Sequence, residues 1–238
     1  MNEVTLLILL TLAAGLAMPV GALLASVERI HSKWLESEFR HAVIAFGGGA
    51  LLSAVALVLV PEGSENLSPG WVALFFALGG VTFMALDRYL AWLNTSVSQL
   101  VAMLADFIPE ALALGAAVAT GSKTATILAG LMALQNLPEG FNSFRELKES
   151  STFKARTIIA AFTAMALAGP VSGLLGYYWL SRHPFAVGAV MLFAAGGILY
   201  IIFQDIAPQS KLRRHWAPPL GAVAGFLLGL IGEMIVRG

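Results

Sequence analysis

Two apolar stretches of this chain each hold a cluster of polar side chains around a proline: Asp106 and Glu110 around Pro109, and Gln135, Asn136 and Glu139 around Pro138. Asp106 and Glu110 are spaced i and i+4, as are Gln135 and Glu139, so on a helix each pair lines one face. Their donor atoms are carboxylate and amide oxygens, which are ligands for cations. A site offering oxygen alone leans toward harder divalent ions such as manganese or magnesium over zinc. Each proline adds to the polarity, because it cannot donate to the carbonyl four residues earlier. Pro109 frees the carbonyl of Ala105, and Pro138 that of Leu134. A charge at the centre of a bilayer costs roughly 2.5 to 3.5 kcal/mol on insertion scales, so such a cluster calls for compensation. A bound cation supplies it.

That the setting is a bilayer follows from composition. Of the 238 residues 58% are apolar and 12% charged, and the mean hydropathy is +0.81, too oily for a water-soluble domain of this length. Basic and acidic residues balance at 14 each, which gives no electrostatic reason to expect a nucleic-acid partner. The chain has no cysteine, hence neither disulfides nor thiolate ligands. A span requires about 20 mostly apolar residues, and the sequence divides into eight: 4–27, 43–60, 71–93, 97–119, 124–144, 157–180, 185–206 and 217–236. The first is too long for a signal-peptide core and has no basic residue before it. The whole chain, 1–238, reads as a single transmembrane domain.

Eleven of the fourteen basic residues fall in or beside connections after odd-numbered spans: Arg29, Lys33, Arg40, Arg88, Arg145, Lys148, Lys154, Arg156, Lys211, Arg213 and Arg214. Lys123, Arg182 and Arg237 lie on the other side. Basic residues mark the cytoplasmic face, so both termini are expected outside the cytoplasm, in a plasma or inner membrane. The fourth and fifth spans meet near Gly121, leaving Asp106 and Gln135 15 and 14 residues from the turn, level across the pair. Glu110 then lies about one turn toward the outside and Glu139 about one turn toward the inside. The four side chains could share one ion or hand it from level to level. Phe46, Gly49, Leu52 and Pro61 match Phe193, Gly196, Leu199 and Pro208 at an offset of 147 residues, in helices that cross in opposite directions. Inverted repeats of this kind are a feature of secondary transporters.

The run QNLPEG, Gln135 to Gly140, resembles the fifth-helix signature of the ZIP family of divalent metal transporters, and DFIPEA, Asp106 to Ala111, resembles its fourth-helix signature HNxPEG. The likeness extends to Ala45–Gly63, Met84–Leu93 and Phe193–Ser210, which are similar to the second, third and seventh helices of that family. The resemblance implies an all-α membrane protein of eight helices in a 3+2+3 order with an inverted repeat. It further implies transport of zinc, manganese or iron by alternating access, through a site between the fourth and fifth helices. Asp106, Glu110, Gln135 and Glu139 would form that site, with Asn136 beside it. Members with two metals add ligands at the positions of Phe107 and Gly169, neither of which can coordinate here, so one metal is expected.

Asp106 stands where the family usually has histidine, which removes the only nitrogen ligand. The histidine-rich loop common between the third and fourth helices is also missing, with Asn94 to Ser96 in its place. The metal is expected as substrate, with no organic cofactor. The expected partners are that ion, the lipid bilayer and a second copy of the chain as a homodimer. No HExxH run is present and Asp106 is the only central aspartate, so the chain is not read as a protease or other enzyme. The alternative function is a membrane protein that kept the fold and binds or senses metal without transporting it. Gln204 and Asp205 read equally well as a solvated helix end and as an ion exit station. Glu62 reads as a solvated helix end in preference to an entrance ligand, and Asp87 as an interfacial partner of Arg88.

Overall fold

A computed structural model of the chain describes residues 2–27, 38–93, 97–212 and 215–237, without the side chains of 97–99 and 237. Arg29, Lys33, Arg213, Arg214 and the 94–96 segment therefore lie outside the described residues. The described residues are helical, with no strand among them. Eight helices follow one another: α1 (Glu3–Val27), α2 (Arg40–Ser64), α3 (Pro69–Leu93), α4 (Val97–Ala119), α5 (Ala125–Ser150), α6 (Ala155–Arg182), α7 (Pro184–Gln209) and α8 (Ala217–Arg237). Seven of them are long and apolar enough to cross a membrane. The remaining one is α5, which at 26 residues is long enough but is diluted by the polar residues of its second half.

The turn between α4 and α5 forms where Gly121 was expected to place it. Gly121 adopts φ +70°, a left-handed conformation that costs glycine nothing. Ser122 N–H donates to the Ala117 carbonyl and Gly121 N–H to that of Val118, which closes the end of α4 as a Schellman cap. At the start of α7, Pro184 occupies the first helical position, where its missing N–H costs nothing. Trp71 and Trp179 are exposed at one end of the bundle and Trp92 and Trp216 at the other, as aromatic residues at two bilayer interfaces should be.

The prolines inside the helices act in two ways. α4 and α5 run as continuous helices through Pro109 and Pro138. In α2 and α7 the backbone instead widens into single π-helical turns, at Val55–Leu59 before Pro61 and Ile202–Ile206 before Pro208. A proline ring clashes with the carbonyl four residues back, and a wider turn at that carbonyl makes room for it. The two π turns stand at the same 147-residue offset as the sequence match between these helices. α6 breaks at Leu167, just before Pro170.

Glycines set which helices touch. α1 packs on α5, α2 on α8, α3 on α7 and α4 on α6. Each pair is separated by an even number of crossings and so runs parallel. Each has the same contact: a glycine of one helix lies over the carbonyl three residues before a glycine of the other, and the reverse. Gly21 meets Leu137 and Gly140 meets Met18; Gly49 meets Ala222 and Gly225 meets Phe46. Gly79 with Gly196, and Gly115 with Gly176, repeat the arrangement. At all eight positions a Cβ would stand 2.0 to 2.2 Å from that oxygen. With no hydrophobic drive between helices in lipid, such close backbone approach is what holds them together. By packing the helices form two groups of four, with α1, α4, α5 and α6 in one and α2, α3, α7 and α8 in the other.

These contacts predict a sharp positional dependence in an alanine scan of the glycines. Gly140→Ala and Gly225→Ala should each cost about 1 to 3 kcal/mol through overpacking. Gly130→Ala, with nothing within 4 Å, should be neutral or gain about 0.5 to 1 kcal/mol. Thermal unfolding of the purified variants in detergent checks this, and equal midpoints for all three would contradict it.

Candidate metal-binding site

A cavity of about 600 Å³ lies between the two four-helix groups. It begins at Asp106 and Gln135 and runs to the helix ends at Ser150, Gln209 and Ala91, on the side of the molecule that carries Arg40, Arg145, Lys148 and Lys211. The opposite end is tied together. There Glu62, at the end of α2, accepts hydrogen bonds from Ser122 (2.8 Å) and from Thr124, both in the α4–α5 turn. Glu62 is thus a tie between the two helix groups, which its reading as a solvated helix end did not foresee. The two π turns take opposite parts in this asymmetry. That of α7 contributes Gln204, Asp205 and Ile206 to the cavity wall, whereas Val55, Val58 and Leu59 of α2 are buried.

Three of the five expected site residues reach this cavity. Asp106 and Gln135 stand at its inner end, 7% and 3% exposed, and Glu139 lines it one turn farther along α5. The level placement of Asp106 and Gln135 inferred from the turn is consistent with both residues meeting there. Glu110 is fully buried and is absent from the wall. Its two oxygens accept from Gln135 Nε2 at 2.9 and 2.8 Å. That bond has a second effect. With its nitrogen committed to Glu110, Gln135 is left with its oxygen, Oε1, which is buried and has no hydrogen-bond partner. Asp106 Oδ1 is in the same condition. Asn136 faces elsewhere: its Nδ2 donates to the Ala14 carbonyl of α1 at 2.9 Å, which ties α5 to α1 rather than extending the cavity wall.

Among the described residues, no three His, Asp or Glu side chains converge as a ready-made metal shell. The arrangement is instead a pair of unsatisfied oxygens with a carboxylate below them. A buried acceptor without a donor costs on the order of 1 to 3 kcal/mol, and more when charged. A cation with an affinity for hard oxygen donors is a fitting ligand for such a pair.

Phe107 and Gly169, the two positions at which two-metal members are expected to add ligands, pack against each other. Phe107 is 1% exposed, and its ring packs between α1 and α6. A Cβ on Gly169 would stand 2.8 Å from Phe107 Cζ, and one on Gly15 would stand 3.0 Å from it. The aromatic ring and the two glycines are therefore complementary, and a carboxylate at position 169 would collide with the ring.

Further polar groups line the route from Glu139 to the open end. Asn142, Ser143 and Glu146 continue the same face of α5, and Asp87 of α3 accepts a hydrogen bond from Tyr200 of α7 at 3.0 Å. Gln204 and Asp205, left undecided between two readings, both line the cavity. Asn142 was not singled out from the sequence, although its spacing of three residues from Glu139 places it on the same face.

The chain matches known proteins along its whole length. A zinc transporter ZupT of Chlorobium phaeovibrioides is 24% identical, over 99% of this chain and 100% of its own length. A zinc transporter ZupT of Chlorobium luteolum is also 24% identical, over 96% of this chain and 97% of its own. No family model matches the chain. Along its full length the chain is thus similar to these zinc transporters, in agreement with the resemblance of its two proline-centred runs to the ZIP-family signatures.

Proposed function

We propose that this protein carries divalent metal ions across a membrane by alternating access, through one oxygen-lined site at Asp106, Gln135 and Glu139. The observation that carries the reading is the pair of buried, unpartnered oxygens on Asp106 and Gln135 at the inner end of a cavity open to one side. Bare oxygens at membrane depth are expensive unless water or a cation satisfies them. A path that reaches them from one side and a hydrogen-bonded tie at Glu62 on the other is half of an alternating-access cycle. The similarity of α2 and α7, with one π turn packed and the other lining the cavity, supports an inverted state in which the roles exchange.

Zinc, named in both relatives, is the first cargo to consider, and the oxygen-only donor set extends the range to manganese and iron. Glu110 serves the site in this conformation by orienting Gln135, and it becomes a ligand when the ion draws that amide away. Phe107 and Gly169 limit the site to one metal. The alternative of a binding or sensing protein gains no support from a cavity that runs from the site to the surface.

Transport is tested in proteoliposomes loaded with a metal-sensitive dye. Uptake of zinc or manganese should exceed that of empty liposomes, and Glu139→Ala should reduce it by about tenfold or more, a loss in line with removing one charged ligand. Uptake no faster than through empty liposomes would overturn the proposal.

The basic residues orient the cavity toward the cytoplasm and the termini outward. The absence of native cysteine makes this simple to check. A maleimide reagent that cannot cross the membrane should label Ala102→Cys, on the cavity wall, only from the cytoplasmic side, and Lys123→Cys, in the α4–α5 turn, only from outside. The reverse pattern would contradict the orientation.

A further inference from the structure

We propose that Asn142 is a cargo ligand, forming with Glu139 a second oxygen station that takes the ion from Asp106 and Gln135 and favours manganese over zinc. This rests on the transport reading and adds to it a residue that the family signature does not contain.

Asn142 lines the same cavity as the three site residues. Its Oδ1 is buried without a hydrogen-bond partner. Among the described residues only three buried side-chain oxygens are in that state, and the other two are Asp106 Oδ1 and Gln135 Oε1. All three belong to the wall of one cavity, so they form a series along a single path and not three isolated defects. A buried amide oxygen is ordinarily paired, and each exception calls for a physical reason.

Helix geometry places the residue correctly for a handover. At 100° per residue, Gln135, Glu139 and Asn142 fall within about 60° of one another on α5. Asn142 is about 4.5 Å farther along the axis than Glu139, and Glu139 about 6 Å beyond Gln135. An ion held by Glu139 can therefore exchange Gln135 for Asn142 without leaving that carboxylate. Room for it comes from α2, where Gly47 and Gly48 line the cavity with no side chain, Gly47 facing Pro138 one position before Glu139. The station consists of a carboxylate and an amide oxygen, with no imidazole or thiolate. Such donors suit manganese and give zinc no ligand of the softer kind it prefers.

The test uses the full-length protein in detergent and in liposomes. Manganese binding is followed by the loss of the free-ion electron paramagnetic resonance signal, and uptake of manganese and zinc is measured in parallel. Asn142→Ala should weaken manganese binding roughly three- to tenfold and lower the manganese-to-zinc uptake ratio in proportion, the scale of one lost oxygen ligand. Asn142→Asp keeps an oxygen and adds charge, so it should bind manganese at least as tightly as the parent while slowing its release. Wild-type manganese affinity in Asn142→Ala overturns the inference. Should that variant fail to fold, weaker manganese binding by Asn142→Asp overturns it equally. If the parent chain moves no metal while its manganese affinity still depends on residue 142, transport fails and the ligand assignment stands. If Glu139→Ala abolishes uptake and neither Asn142 variant alters binding or the ion ratio, transport stands and this inference fails.

Discussion

Everything in this structure is organised around buried oxygens that lack a hydrogen-bond donor at the middle of a membrane. Water outside the membrane would satisfy Asp106 Oδ1 and Gln135 Oε1 at no cost; inside it they need an aqueous path or a cation. The fold supplies the path. It also supplies the reason the oxygens are bare, because the Gln135 amide nitrogen is spent on Glu110, and the oxygen is presented to the cavity. Glu110 thus shapes the site from behind. A carboxylate pointing into the cavity in its place would add charge there without fixing the direction of any neighbour.

Holding that arrangement while leaving a gap beside it requires helices that are rigidly paired but not all packed together. The reciprocal glycine contacts do this. They lock α5 to α1 and α4 to α6, so the two helices that carry the site are each fixed to a partner away from the cavity. The same contact locks α2 to α8 and α3 to α7. The seam between the two groups is where the cavity opens, and the Glu62 bonds to Ser122 and Thr124 tie the same seam together at its far end. Tight glycine pairing within groups, with α2 against α5 and α4 against α7 as the packing between them, confines the contact between groups to a few helices.

The sequence made the spans and the α4–α5 turn legible, because hydropathy and a glycine with positive φ are local properties. Phe107 and Gly169 were legible as departures from a signature, and the structure adds that one fills the space over the other. What could not be read were features that depend on a partner distant in the chain. Whether Glu110 faces the ion or Gln135 is decided by the packing of two helices, as is the turning of Asn136 toward Ala14. The π turns were hidden for another reason. Pro109 and Pro138 carry the same local signal as Pro61 and Pro208, yet only the latter pair widens its helix. The tie made by Glu62 and the open wall around Asn142 likewise arise from one group of helices meeting the other.

The central claim is a single metal held by oxygen alone. X-ray absorption spectroscopy of zinc bound to the purified full-length protein tests it most directly. The account predicts one zinc per chain with a first shell of light atoms at about 2.0 to 2.2 Å and no outer-shell scattering from imidazole. A zinc–zinc distance, two zinc ions per chain, or an imidazole pattern in the spectrum would contradict it.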